Sequence, residues 1–182
     1  MKIRSKYSLY DIVKHFYFFI KKNFSSVDWY EIYNSKIHQK KNILKKKKIR
    51  LLVLKSKSEI NRLNLSDYFK KNNLKLQRFG NKKKFLVLVN DKNILSSGWI
   101  YFGRRWTITE IQKKIKLKKT YLLFDFETPY EIRKKGYYTL LLRLIHNRYR
   151  KKRLAIYSVT SNYASNKAII RSGFKFIERI YG

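Results

Sequence analysis

The sequence predicts an α/β protein with a mixed central sheet and flanking helices, preceded by a helical N-terminal extension. The chain has 182 residues, 44% of them hydrophobic and 16% aromatic, which is sufficient for one globular domain with a sizeable core. From Ile49 onward, apolar runs of strand length alternate with segments of helical periodicity. The earlier part is aromatic and basic, and it ends in lysine runs at residues 40–41 and 45–48. We therefore expect an extension over residues 1–47 and a main domain over residues 48–182.

The predicted element order from Ile49 is β-α-β-β-β-α-β-α-β. An apolar strand over residues 49–56 precedes a short helix capped by Ser58. Two strands then meet at a polar turn over residues 90–93, and Gly98 in the second strand indicates a bulge or a close backbone approach. Residues 106–119 have apolar positions at mixed spacing and receive no assignment. The later elements are a strand over 121–128, a helix after Gly136, a strand over 153–160, a short helix ending at Gly173, and a last strand with Phe174 and Phe176 buried.

The formal net charge of +34 admits two explanations. One is a functional basic surface that binds nucleic acid or an anionic membrane. The other is codon bias, because the chain is rich in residues with AT-rich codons and has alanine only at Ala155, Ala164 and Ala168. The composition leaves both explanations open.

Several kinds of chemistry are excluded by residue content. The chain has no cysteine, so disulfides, thiolate metal sites and cysteine nucleophiles are absent. Its three histidines, His15, His38 and His146, lack metal-ligand spacing, so no metal site is predicted. No apolar stretch reaches the ~18 residues of a spanning helix, and the aromatic stretch over residues 7–20 lacks a signal cleavage site after it. We expect a cytoplasmic protein, with peripheral membrane contact left open.

A cationic loop with one glycine separates the strand over 121–128 from the following helix. It reads RKKGYY over residues 133–138. The first turn of a helix leaves backbone N–H groups unpaired, and the helix dipole favours an anion there. A glycine lets these amides converge on phosphate oxygens. The loop therefore predicts an anion site, although an ordinary turn with a convenient glycine would have the same sequence.

This loop resembles the acyl-CoA signature of the GNAT acyltransferases, which reads Arg/Gln-x-x-Gly-x-Gly/Ala. Arg133 and Gly136 fall on its first two fixed positions. The chain departs from the signature at Tyr138, which replaces the final small residue, and at Lys134, where a glycine is often seen. Thr128, with the proline and arginine that follow, resembles the lead-in of a subset found with cell-envelope polysaccharide pathways.

Further downstream, Asn162 and Ser165 match the family's Asn-x-x-Ser/Ala motif, and Gly173-Phe174 matches the Gly-Phe one helix later. Gly98 falls where the family's strand-turn-strand ends in glycine. The resemblance covers the chain from Ile49 to the C-terminus and leaves the first part uncovered. It implies a GNAT-like sheet in which the strands on either side of the loop splay apart.

The resemblance also implies acetyl-CoA as cofactor and a set of residues that bind it. The pantetheine arm would pair with the first splayed strand, and the diphosphate would lie on the loop amides. Asn162 would orient the pantetheine or the attacking amine. The implied cofactor-binding residues are Phe126, Glu127, Thr128, Arg133, Lys134, Lys135, Gly136, Tyr137, Tyr138, Thr139 and Asn162.

For catalysis, the resemblance implies direct attack of a primary amine on the thioester, without a covalent enzyme intermediate. The position of the tyrosine acid of many relatives holds Ile169, and that of a glutamate base holds Tyr157. Asp125 and Glu127 are the remaining candidate bases, Tyr157 and Tyr163 are candidate hydroxyl acids, and Asn162 is also a candidate catalytic residue. Carboxylates paired with lysines, and a tyrosine that only packs, are the alternatives. His146 is expected to be surface or half-buried.

The expected function is therefore an N-acetyltransferase acting on a primary amine, such as that of a nucleotide-linked amino sugar. A tRNA or ribosomal acceptor is a second enzymatic possibility. The alternative class is a catalytically impaired GNAT-like module that binds nucleic acid or an anionic membrane through its basic face. A homodimer contact through the extension is left open.

Overall fold

A seven-stranded sheet forms the centre of the structure, a computed structural model that describes residues 25–35, 48–62, 77–80, 82–91 and 93–182. The strands are β1 Ser26–Ile32, β2 Ile49–Leu54, β3 Lys83–Asn90, β4 Asn93–Tyr101, β5 Arg105–Ile108, β6 Lys113–Lys116, β7 Thr120–Glu127, β8 Arg153–Val159 and β9 Lys175–Tyr181. The helices are α1 Lys57–Arg62, α2 Tyr137–Arg148 and α3 Tyr163–Arg171, with a 3-10 turn at Tyr130–Ile132. The sheet order is β2-β3-β4-β7-β8-β1-β9, and β5 and β6 form a separate pair.

The predicted α/β class with a mixed sheet and flanking helices is confirmed. Among the described strands, β7 and β8 pair in parallel and the other neighbours pair antiparallel. A parallel pair needs a crossover connection, which α2 provides. The unassigned residues 106–119 contain most of the β5–β6 hairpin. Helix α1 begins at Lys57, so Ser58 lies inside it and does not cap it, and the later part of the predicted helix lies outside the described residues.

The helical prediction for the N-terminal extension is wrong over Ser26–Ile32, which is strand β1. This strand lies between β8 and β9 and is antiparallel to both. Its sequence, SVDWYEI, is rich in β-branched and aromatic side chains, which favour strands, and four successive residues from Val27 to Tyr30 are buried. These residues therefore share a sheet with the main domain. The rest of the extension, residues 1–24 and 36–47, lies outside the described part of the chain.

Asp28 is a charged residue buried within β1. Its carboxylate accepts hydrogen bonds from Arg179 Nε at 2.8 Å and from Thr160 Oγ1 at 3.2 Å. A buried carboxylate is tolerated when it is paired and hydrogen-bonded in this way. These contacts join β1 to β9 and to the turn after β8.

Helices α2 and α3 pack on one face of the sheet, and the β5–β6 hairpin and Ile60 of α1 pack on the other. Helix α2 buries Leu141, Leu142 and Ile145 in one hydrophobic core. In a second hydrophobic core, Trp106 of the hairpin packs on Phe124 with 4.5 Å between the ring centroids. His146, expected to be at the surface or half-buried, is instead fully buried in α2, with Nε2 2.8 Å from the Ser35 carbonyl oxygen.

Candidate functional site

The two strands on either side of the cationic loop part after four residue pairs. Strand β7 pairs with β8 from Thr120↔Arg153 to Leu123↔Ile156, and the ladder ends there. Beyond that point, Tyr157, Ser158 and Val159 of β8 pair with β1 on their other side. Among the described strands, the β8-facing edge of β7 therefore has no strand partner from Phe124 onward. This gap is the structural feature on which a site is built.

A β-bulge at Asp125 helps to open the gap. Asp125 has a positive φ of 52°, and the β4–β7 register passes from Trp99↔Phe124 to Ser97↔Glu127, which leaves one extra residue on β7. As a result, Phe124 packs with Trp99 on one face of the sheet, whereas Phe126 packs with α2 on the other. The bulge therefore changes the face of the sheet to which the last side chains of β7 point.

The bulge in β7 requires a residue without a side chain at the neighbouring position in β4, which is Gly98. A Cβ built on Gly98 would overlap the ring of Phe126. Both alternatives predicted for this glycine, a bulge and a close approach, are confirmed. Phe126 in turn packs against Tyr138 at 5.4 Å between ring centroids.

The cationic loop leads directly into the N-terminus of α2. Gly136 is the N-cap residue and is left-handed, with φ 80° and ψ 9°. Lys134 also has a positive φ of 63°. Lys134, Lys135 and Gly136 are exposed, and a Cβ built on Gly136 would meet no atom within 4 Å. The first turn of α2 thus begins at an open surface with two exposed cations beside it.

The Arg133 side chain connects this loop to the end of β7. Its Nε donates to the Thr128 carbonyl oxygen at 3.0 Å, and its guanidinium lies 5.3 Å from the centroid of the Tyr130 ring. These contacts join the end of β7 to the turn before α2. Arg133 therefore holds the loop in shape through its side chain.

A cleft of about 160 Å³ lies in the gap between β7 and β8. Its volume is below the ~300 Å³ of a typical ligand pocket, so the enclosed part has room for a small group rather than a whole nucleotide. It is lined by residues from both strands, both following helices and the hairpin: Glu110, Phe124, Asp125, Phe126, Tyr138, Ile156, Tyr157, Ser158, Val159, Asn162 and Ser165. Five predicted site residues, Asp125, Phe126, Tyr138, Tyr157 and Asn162, thus lie together.

The floor of the cleft is formed by Tyr138 and the start of α3. The Tyr138 hydroxyl lies 3.4 Å from Ser165 Oγ, and burial raises the pKa of Tyr138, which keeps the phenol neutral. Its side chain therefore points under the loop, away from the open surface above Gly136. Asn162 is the N-cap of α3, and its Oδ1 accepts from Ser165 N at 3.1 Å.

Tyr157 lies at the hairpin end of the cleft. Its hydroxyl accepts a hydrogen bond from Trp106 Nε1 at 3.3 Å and also pairs with the Glu110 carboxylate. Burial, which is the largest cause, together with Glu110 and Asp125 raises the pKa of Tyr157 to about 12, although the hydrogen bond from Trp106 lowers it. Tyr157 is therefore a neutral hydroxyl at neutral pH, able to donate a proton.

The two predicted carboxylates stand in different surroundings. Asp125 lines the cleft and forms an ion pair with Arg78. The Glu127 carbonyl oxygen accepts from Ser96 Oγ at 3.0 Å, and Glu127 pairs with Ser97 of β4. Glu127 is half-buried and is not among the residues that line the cleft.

Sequence reasoning missed Glu110 as a site residue. It lies in the turn between β5 and β6, and Thr109 Oγ1 donates to its Oε2 at 3.2 Å. The only signal was its rarity, because the chain has 11 acidic residues against 45 basic ones.

Two negative findings apply to the described residues. They contain no cluster of three or more His, Asp or Glu side chains that would hold a metal ion. None of the helices within them has the length and apolarity needed to cross a membrane.

Comparisons with known proteins bear on the fold. No protein-family profile matches the sequence, and no curated protein is significantly similar to it. A conserved protein of unknown function from Staphylococcus epidermidis ATCC 12228 has a similar structure, with a TM-score of 0.54 at 13% identity. The match covers 98% of this chain and 68% of that one. At this identity the likeness shows a shared fold.

Two proteins named as GNAT-family acetyltransferases are more distantly similar. One, from Colwellia psychrerythraea, has a TM-score of 0.47 at 12% identity, and the other, from Novosphingobium aromaticivorans DSM 12444, has 0.49 at 11%. Each match covers 85% of this chain, which spans 53% and 61% of the two proteins' lengths. Likeness at this level carries no argument about activity.

Proposed function

We propose that the chain is a GNAT-type N-acyltransferase that transfers an acetyl group from acetyl-CoA to a primary amine. The observation that supports this is the coincidence of two features in one place. The β7–β8 ladder ends at Leu123↔Ile156, and the glycine turn at the start of α2 opens over the same gap. The first offers a strand edge to an extended ligand, and the second offers backbone amides to an anion.

The residues present fit the cofactor. The space above Gly136 is open, so an anion can approach the loop amides, and the exposed Lys134 and Lys135 supply positive charge beside it. In this proposal the diphosphate lies on the amides from Lys134 to Thr139. The pantetheine arm runs along Phe126, Glu127 and Thr128.

Tyr138 is the main departure from the acyl-CoA signature, and its packing is compatible with the proposal. Its ring is buried against Phe126 and its hydroxyl lies near Ser165, so the bulk that replaces a small residue lies below the loop. It narrows the cleft floor instead of covering the amides. The acyl group accepted by this cleft is therefore small, which favours acetyl over longer chains.

Acetyl-CoA, when bound, supplies an activated thioester whose acetyl group passes to the amine. A carboxylate at the cleft would accept the proton that the amine loses, and Asp125 and Glu110, which line the cleft, are the candidates for this role. Tyr157, which also lines the cleft, is the candidate proton donor to the leaving sulfur. The side-chain N–H groups of Asn162 are donors for the pantetheine or the substrate. Glu127 is also a predicted base, and the carboxamide variants described below test it together with Asp125 and Glu110.

The acceptor class is a finer proposal. The cleft ends in two carboxylates that attract an ammonium group, whereas cations surround its loop. An amino sugar supplies such an amine, and if it is nucleotide-linked its diphosphate would contact cations of the basic surface other than Lys134 and Lys135, which the cofactor engages. A cytoplasmic location is expected for a protein using such substrates.

A specific observation also supports the second candidate function, a catalytically impaired GNAT-like module. Ile169, which occupies the position of the tyrosine acid in the resemblance, is fully buried in α3. In this alternative the cleft still binds cofactor, but no acyl transfer follows.

Melting the protein with and without acetyl-CoA, followed by a thiol-release assay with amino sugars and their nucleotide conjugates, tests the proposal. Saturation at about 100 Kd stabilises a protein by about 2.7 kcal/mol, so the Tm is expected to rise by roughly 5–10 °C. No shift would exclude the cofactor site and the enzyme with it. A shift without thiol release would favour the impaired module.

Matched carboxamide variants identify the base. Asp125→Asn, Glu110→Gln and Glu127→Gln each remove one carboxylate and keep its shape. The variant of the true base is expected to lose 10²–10⁴-fold in kcat with the acetyl-CoA shift retained. Equal, small losses in all three would show that none of these carboxylates is the base.

A further inference from the structure

The outer face of the β5–β6 hairpin carries three cations, two of which lie directly opposite one another. The register pairs Arg105 with Lys116 and Thr107 with Lys114. Opposite residues and alternate residues along a strand share one face, so these four side chains point the same way. All four are exposed, whereas the other face of the hairpin packs inward through Trp106.

This arrangement of charges lowers the stability of the folded hairpin. Like charges directly opposite each other across a strand pair are destabilising. Within the described part of the chain, no carboxylate forms a salt bridge with Arg105, Lys114 or Lys116. Elsewhere the sheet pairs opposite charges, as in Asp28↔Arg179 and Glu31↔Lys175. The hairpin is therefore an exception that folding does not explain.

The charge on the hairpin is also above the chain average. Residues 104–119 contain seven cations and one carboxylate, a net charge of +6 over 16 residues, against +34 over 182 for the chain. Other stretches are at least as basic, such as residues 143–153 with a net charge of +6 over 11 residues. The distinguishing feature of the hairpin is therefore the placement of its cations on one exposed face and not their number.

We propose that this face, with the flanking Arg104, Lys118 and Lys119, is a binding surface for single-stranded nucleic acid. The Thr107 hydroxyl adds a hydrogen-bond donor among the cations. Contacts from cations and hydroxyls to phosphates are the sequence-independent part of nucleic-acid recognition. This surface is separate from the proposed acyl-transfer cleft, and its binding does not depend on acetyl-CoA.

The position of the hairpin favours a polymer over a small anion. Trp106 and the turn residue Glu110 contact the cleft at Tyr157, whereas the cationic face points the other way. The exposed cations extend over both strands and the flanking residues 104, 118 and 119, so a small anion would contact only some of them, whereas a polymer with a phosphate in every unit can contact them together. A membrane is also disfavoured, because the large exposed apolar side chains of the described residues all lie outside the hairpin.

Fluorescence anisotropy of the full chain with a fluorescein-labelled single-stranded RNA of twelve uridines, from 50 to 200 mM KCl, tests the proposal. The variant Arg105→Gln/Lys114→Gln/Lys116→Gln removes three cations. For single strands each phosphate contact contributes about 0.7 to the slope of log Kobs against log salt, so the slope is expected to fall by about 2. Across this fourfold change in salt, the wild type should therefore lose about twentyfold more affinity than the variant.

The matched control is Arg50→Gln/Lys55→Gln/Lys57→Gln, which removes one arginine and two lysines from exposed positions near β2. It should leave the slope nearly unchanged. An equal fall in both variants would attribute binding to net charge and overturn the proposal. The proposal would also be overturned if the wild type did not bind the RNA at 50 mM KCl, or if the hairpin cations were needed only for binding to phosphatidylserine vesicles.

The thermal stability of the same variant provides a second readout. Because the substitutions relieve repulsion across the strand pair, the Tm of the hairpin variant should equal or exceed that of the wild type. A Tm below the wild-type value would contradict the repulsion argument.

Discussion

Replacing Gly136 with alanine separates the stability of the loop from its proposed use. Gly136 has φ 80°, a left-handed conformation that costs a residue with a Cβ about 1–2 kcal/mol. A Cβ built there would meet no atom within 4 Å, so backbone strain is the only expected cost to the fold. For a chain of this size, that loss lowers the Tm by about 2–8 °C.

The effect on acetyl-CoA should be additional. The new methyl group would occupy the space from which a diphosphate approaches the loop amides. Loss of one charge-assisted hydrogen bond costs about 1.5 kcal/mol or more, which weakens the affinity roughly tenfold. At a concentration of 100 times the wild-type Kd, the stabilisation by acetyl-CoA would then fall from about 2.7 to about 1.4 kcal/mol.

Gly173→Ala is the matched control. Gly173 has φ 94° and follows the end of α3, so alanine there imposes similar strain away from the loop. Urea denaturation with and without acetyl-CoA should show both variants destabilised, with only Gly136→Ala losing ligand protection. Full protection in Gly136→Ala, or equal losses in both variants, would refute the role of the loop amides.

Two further predictions concern the cleft. The pKa of Tyr157 is raised to about 12, so the folded state holds this proton more tightly than the unfolded chain does near pH 10. Its contribution to stability is complete below pH 10 and is lost as pH rises towards 12. Urea unfolding should show wild type losing about 1.4 kcal/mol more than Tyr157→Phe by pH 11, and parallel curves would contradict the assignment. Gly98→Ala should destabilise by about 1–3 kcal/mol through overlap with the Phe126 ring, and adding Phe126→Leu should recover part of that loss in a double-mutant cycle.

Much of the fold was predictable because apolar spacing is a local signal. The strands and helices from Ile49 onward were anticipated in their order, apart from β5 and β6. Their hairpin escaped prediction because Ile108, Ile111 and Ile115 have helical spacing (i, i+3, i+7), whereas Ile115 and Leu117 have the spacing of a strand, so the pattern is mixed. Ile108 and Ile111 are buried at the end of β5 and in the turn that follows, whereas Ile115 is half-buried on β6.

Errors arose where tertiary pairing decides the outcome. Strand β1 is stabilised by two neighbours that lie more than a hundred residues away, and its aromatic residues are compatible with a buried helix as well. Phe176 was expected to be buried with Phe174, but it is 52% exposed because β9 is an edge strand. Edge position is a property of the whole sheet, which local periodicity does not report.

The candidate site was predictable in part for the same reason. The loop with Gly136 and the cap at Asn162 are local motifs, and both stand where the sequence predicted a strand-to-helix turn. The meeting of Glu110 with Tyr157 was not predictable, because it depends on how the hairpin folds across the sheet. The bulge at Asp125 likewise depends on the strand paired with it.

Hydrogen–deuterium exchange with and without saturating acetyl-CoA tests the central claim most directly. The account predicts slower exchange in peptides covering residues 124–140, where the free strand edge and the loop amides lie, with little change over residues 105–116. Unchanged exchange over residues 124–140, or protection confined to another part of the chain, would contradict it.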